Sequence, residues 1–129
     1  MKLQEYFAGQ SGVGIISTAN NKGEVNSAVY AKPHVTGKNT IAFVTRDKRT
    51  RANLQENVNA NYLFIEKEGD FKGVRLYLTM TEEVQDKELI ASLSRRTPAN
   101  EDDSIERFLI SFNVEKARAL VGDEAFELE

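Results

Sequence analysis

The feature that most constrains this chain is the strict alternation across Gly73–Val84. Val74, Leu76, Leu78 and Met80 fall on one side of an extended strand, and Arg75, Tyr77, Thr79 and Thr81 on the other. Successive side chains of a strand point to opposite faces, so a two-residue period marks a strand with one face buried. The same pattern returns in Glu106–Val121, where Phe108, Ile110, Phe112 and Val114 oppose Arg107, Leu109, Ser111 and Asn113. Strands of this length need partners. Val13–Ala19 and Glu24–Ala31 supply two, joined by the turn Asn20-Asn21-Lys22-Gly23, a strong hairpin signal. Thr36-Gly37-Lys38-Asn39 leads into Thr40–Thr45, and Asn61–Lys67 is turned by Glu68-Gly69-Asp70 toward the alternating strand.

Three helices fit between these strands. Lys2–Ala8 places Leu3, Tyr6 and Phe7 on one face and ends at Gly9. Lys48–Val58 repeats Thr50, Leu54 and Val58 at four-residue spacing, with Asp47 expected as its N-cap. Asp86–Ser94 is carried by Leu89, Ile90 and Leu93, and the polar stretch Arg95–Asp103 reads as an exposed loop. About six strands with short helices between them predict a mainly β fold with a mostly antiparallel sheet. So long a sheet with so little chain to cover it is expected to close into a small β-barrel, because closure removes exposed edges. An open α+β sheet with helices on one face is the alternative.

Composition narrows the function. The chain has 129 residues, 40% of them hydrophobic, and only two prolines, Pro33 and Pro98, which fits a single domain over 1–129 with one core. It has no cysteine, which excludes disulfides, zinc–thiolate sites and a cysteine nucleophile. A reducing, cytoplasmic setting is expected, with no membrane span and no secretory signal. A single histidine, His34, cannot build a histidine-rich metal site, and as a residue following Pro33 it is expected at a surface or edge. The acidic run Glu101-Asp102-Asp103 reads as solvated charge, so no metal is expected. Ser11-Gly12-Val13-Gly14 fails the patterns of glycine-rich phosphate loops and leads into a strand.

The chemistry concentrates in Thr45-Arg46-Asp47-Lys48-Arg49-Thr50-Arg51-Ala52-Asn53-Leu54. Basic residues crowd a strand-to-helix junction, where the helix dipole already carries positive charge. Each cation there costs on the order of 0.3–1 kcal/mol unless an anion is present. A bound phosphate reverses that cost, since backbone N–H groups, guanidinium forks and a hydroxyl then converge on one dianion. Arg49 and Thr50 are the first candidates. Arg49 and Asn53 border the buried stripe on a helical wheel, whereas Lys48 and Arg51 lie further round. A solvated basic face is the competing reading. Nucleic acid is not expected as a partner: the net charge is −3, and one basic cluster lacks the aromatic platforms of a single-strand binder.

Taken in order, Val25-Asn26-Ser27-Ala28-Val29-Tyr30, Ala42-Phe43-Val44-Thr45, Arg49-Thr50-Arg51-Ala52-Asn53-Leu54, Gly73-Val74-Arg75-Leu76 and the closing strand Arg107–Val114 resemble the FMN-binding split-barrel family related to pyridoxamine 5′-phosphate oxidase. The resemblance runs over roughly Gly12–Val121. It implies a homodimer with FMN at the subunit interface. Asn26, Ser27, Ala28 and Val29 would then line the flavin ring, and Thr45, Arg49 and Thr50 would hold its phosphate, with Asn53 and Arg75 as further contacts, Arg75 from a strand that the partner subunit could supply. The activity implied is a small FMN-dependent oxidoreductase passing a hydride or electrons between the flavin and NAD(P)H or a small-molecule substrate. The alternatives are a non-catalytic FMN-binding or electron-transfer protein, and a flavin-free module using the Arg46–Arg51 patch for an anionic partner. Members that oxidise pyridoxamine phosphate carry Arg-Lys at the phosphate junction and basic and histidine residues near the C-terminus. Here the pair is Arg49-Thr50 and residues 121–129 are acidic, so the resemblance implies the cofactor rather than that particular oxidation.

Overall fold

A computed structural model describes residues 1–93 and 105–129, so the expected loop 95–103 lies outside the described residues. The elements run α1 (Leu3–Phe7), β1 (Gly12–Ala19), β2 (Val25–Tyr30), β3 (His34–Gly37), β4 (Thr40–Arg46), α2 (Arg49–Glu56), β5 (Asn59–Glu66), β6 (Gly73–Val84), α3 (Lys87–Leu93), β7 (Arg107–Ala119) and β8 (Ala125–Phe126). All strand pairs are antiparallel, and the sheet is ordered β2-β1-β5-β6-β7-β4-β3, with β8 on β7. Two short strands, β3 and β8, add to those expected from periodicity. Each has too few residues to show a period, and each is defined by its partner.

The sheet curls around a core but its hydrogen-bonded ladder does not close. Its two ends are β2 and β3, which are consecutive in the chain yet not paired with each other. The expected closure therefore fails at one place, between β2 on one side and the β3–β4 pair on the other. Side chains bridge there instead of backbone. The Tyr30 ring meets Phe43 edge-on at 5.7 Å, and the Tyr30 hydroxyl is hydrogen-bonded to that of Thr45.

Inside, Val74, Leu76 and Leu78 from β6 meet Phe108, Ile110, Phe112 and Val114 from β7, as the alternation predicts, together with Ile16, Phe43, Tyr62 and Phe64. Each large apolar side chain so buried contributes about 1.5–3 kcal/mol. Phe7 of α1 plugs one end against Phe64, at 5.4 Å between ring centres. Leu109 is buried as well, on the outer face, where α3 brings Ile90 onto it and Ala42. Gly14 has a packing reason: a Cβ there would come within 1.9 Å of the Tyr62 hydroxyl. Gly12 and Gly14 thus belong to a close strand approach rather than to a phosphate loop. His34 is half-buried and opens β3, an edge strand, opposite Ala42.

Candidate functional site

The gap in the barrel is a cleft of about 390 Å³ lined by β2, the end of β4 and the start of α2. Ligand sites for small molecules begin near this size. One wall is formed by Asn26, Ala28, Val29, Tyr30 and Ala31, and the opposite corner by Val44, Thr45, Arg46, Lys48, Arg49 and Thr50. Of the residues proposed from sequence, the fold brings Asn26, Ala28, Thr45, Arg49 and Thr50 to one cleft, and Val29 borders it although its side chain lies on the outer face.

The other three sit elsewhere. The Ser27 side chain points to the outer face, where its hydroxyl lies 2.9 Å from that of Ser17. Asn53 is 2% exposed and donates its amide to the Thr18 hydroxyl at 3.1 Å, which ties α2 to β1 beneath the cleft. Arg75 is on β6, where its guanidinium donates to the carbonyls of Ala119 and Gly122 and holds the C-terminal turn. Tyr30 and Lys48 enter the cleft without having been singled out. Tyr30 shares a strand face with Asn26 and Ala28, so the two-residue period already carried that signal.

The junction also differs from expectation in its cap. Lys48, not Asp47, is the N-cap of α2, and no side chain caps the helix. Asp47 instead accepts from Arg51 at 3.0 Å. Arg51 in turn forks onto Glu83 at 2.7 and 2.9 Å and lies over the Phe108 ring at 3.9 Å, which draws it inward rather than out to solvent. Its hydrogen bonds to Glu83, more than any other influence, push the Arg51 pKa above the ordinary value. The stripe expected from Thr50, Leu54 and Val58 is made by Thr50, Asn53 and Leu54, because α2 ends at Glu56 and Val58 is exposed.

These pairings set the charge of the corner. Arg51 is matched by two carboxylates, whereas Lys48 and Arg49 form no ion pair among the described residues. The first turn of α2 has no acidic residue. Its leading N–H groups have no partner within the helix. Two uncompensated cations, the N–H groups and the buried hydroxyls of Thr45 and Thr50 together suit a dianionic phosphate. Among the described residues, no group of three His, Cys, Asp or Glu is placed to hold a metal ion. No described helix is long and apolar enough to cross a membrane.

Solved structures share this architecture. An FMN-binding protein from Syntrophomonas wolfei subsp. wolfei superposes with a TM-score of 0.74 at 20% identity, over 94% of this chain and 85% of that one. A protein related to general stress protein 26, of the pyridoxinephosphate oxidase family, from Clostridium acetobutylicum, matches with a TM-score of 0.70 at 19% identity, over 98% and 89%. The fold is the split β-barrel. An F420 reductase also matches, with a TM-score of 0.64 at 16% identity, over 88% of this chain and 94% of that one. No family profile and no curated protein sequence matches the chain. The resemblance read from the sequence therefore holds at the level of the fold.

Proposed function

We propose that this chain binds FMN in the cleft between β2 and the β4–α2 junction and works as a small FMN-dependent oxidoreductase in a homodimer. The observation that carries the reading is the pairing, in one cleft, of a small-residue strand wall with a cationic, hydroxyl-bearing corner. FMN has the matching parts, a broad ring and a terminal phosphate dianion. Ala28 leaves room for a flat ring against β2, and Asn26 offers it hydrogen bonds. Lys48, Arg49, Thr45 and Thr50 suit the phosphate. The similar FMN-binding structure supports the choice of flavin.

FMN supplies the hydride and electron chemistry when bound; the chain's part is to orient it and limit its contact with water. Consistent with that division, the described residues lining the cleft include no carboxylate and no imidazole. The same feature supports a second reading, an FMN-binding electron carrier without a substrate pocket of its own.

What supports the dimer is the outer face of the barrel. Val29 is 76% exposed and Val13 49%, and Ile15 lies between Val29 and Leu63 in register, beside the Val13–Ile65 pair. Contiguous apolar surface of this kind marks an interaction site. The test is the absorption spectrum of the purified chain before and after adding FMN. A retained or acquired flavin spectrum with raised thermal stability supports the proposal. A colourless chain that FMN does not stabilise refutes it. Anaerobic bleaching by NAD(P)H separates the oxidoreductase from the carrier.

A further inference from the structure

Resting on the flavin reading, we infer that Tyr30 is a positioning residue that makes the Thr45 hydroxyl a phosphate donor, so that the cleft selects a phosphate-terminated ligand. Tyr30 comes from the edge strand β2 and reaches across the split to β4, where its hydroxyl is bonded to Thr45 Oγ1. Thr45 Oγ1 also donates to the Arg46 carbonyl at 3.2 Å. A hydroxyl has one proton and the Arg46 carbonyl can only accept, so both bonds form together only when Thr45 gives its proton to Arg46. Tyr30 is therefore the donor and Thr45 the acceptor in the bond between them.

This order has a consequence for a ligand. The Arg46 carbonyl already accepts from the Lys48 backbone N–H at 2.9 Å. Thr45 can turn its proton from that carbonyl to an incoming phosphate oxygen without leaving a buried acceptor unpaired. Throughout, Tyr30 goes on donating to Thr45 Oγ1. An oxygen that accepts a hydrogen bond is a stronger donor through its own proton, because bonds in a chain polarise one another. Tyr30 also fixes the threonine rotamer, and its ring is itself held edge-on to Phe43. The pair is thus internally satisfied in the free chain and aimed at the corner formed by Lys48, Arg49 and Thr50.

The test is a double-mutant cycle read as dissociation constants for FMN and for riboflavin, which has the same ring and no phosphate. Thr45→Val is expected to weaken FMN about tenfold, and Tyr30→Phe about fivefold, as losses of one direct and one supporting hydrogen bond. Riboflavin affinity stays within twofold in both variants. In the Thr45→Val background, Tyr30→Phe has no further effect on FMN, since its contribution passes through the missing hydroxyl. Thr45→Ser, which keeps the hydroxyl, restores the preference for FMN and provides a check that does not depend on altering Tyr30. Equal losses for the two flavins, or a Tyr30→Phe effect that persists without Thr45, would show that the ring merely shapes the wall and would overturn the inference. A wild-type chain that binds neither flavin fails at an earlier step and removes the flavin reading itself.

Discussion

Arg49 and Arg51 are two residues apart in the sequence and have opposite jobs in the fold. The Arg49 side chain is exposed at the cleft and makes no hydrogen bond or ion pair among the described residues, whereas Arg51 is forked onto Glu83 with its side chain only 21% exposed. Arg49→Ala is therefore expected to weaken FMN binding by about 1.5–3 kcal/mol, the worth of a hydrogen bond to a charged group, with little change in melting temperature. Arg51→Ala should do the reverse. It removes both guanidinium bonds from the half-buried Glu83 carboxylate, leaving it the Gln55 amide as a donor, and is expected to cost about 1–3 kcal/mol of stability, with a smaller effect on FMN. Flavin fluorescence titration and thermal melts of the two variants check this, and equal binding losses would mean that the phosphate lies elsewhere. The helical wheel sets Arg49 beside the buried stripe and turns Arg51 outward, whereas in the fold Arg49 is exposed and Arg51 half-buried. A wheel knows only its own helix, and the partner that pulls Arg51 in stands 32 residues later on β6. Asn53 is misread for a similar reason. An amide beside a basic cluster looks like a ligand contact until Thr18, 35 residues earlier, accepts a hydrogen bond from it.

At the scale of elements, the long strands were legible because burial on one face writes itself into the sequence every second residue. β6 is found between the limits that Val74, Leu76, Leu78 and Met80 predict, and β7 nearly so. Closure was not legible, since no local pattern states which strand edges stay unpaired. It depends on the length of the connection at Ala31–Pro33 and on side chains that cross the gap. Gly14 belongs to that long-range geometry. Its missing side chain admits the Tyr62 hydroxyl, which then reaches the Ala31 carbonyl at the end of β2. Gly14→Ala is expected to push Tyr62 aside and destabilise the chain by about 1–3 kcal/mol, the usual cost of overpacking. Denaturant unfolding should show a lower midpoint with an unchanged slope. An unchanged midpoint would mean that Tyr62 has room to move and that β2 does not depend on its bond.

For the whole molecule, the buried aromatic interior predicts an alkaline limit. Burial holds the hydroxyl protons of Tyr62 and Tyr6 on well above the ordinary tyrosine range, and the bond from Tyr6 to Glu66 adds to the effect. The folded state thus keeps protons that the unfolded chain loses near pH 10, so stability is full below that pH and falls as pH rises beyond it. Unfolding free energies measured across that range should decline, and Tyr62→Phe should flatten the decline. Association is the second property at this scale. The outer row Val29–Ile15–Leu63 crosses three strands in register, flanked on one side by Val13 and Ile65 and on the other by the polar row Ser27–Ser17–Asn61. Its position matters as much as its chemistry, because β2 carries the apolar row on one face and the cleft wall on the other. A second copy seated on this row would therefore stiffen the strand against which the flavin ring is proposed to lie. Ile15→Lys places a charge at the centre of the row, on a face where a lone barrel tolerates it and an apolar interface does not. Light scattering should show dimers for the wild type and monomers for the variant, with FMN bound more weakly by the monomer. A wild type that scatters as a monomer at all concentrations would refute the dimer. Loss of FMN without dissociation would mean instead that the lysine acts through β1 on the cleft wall.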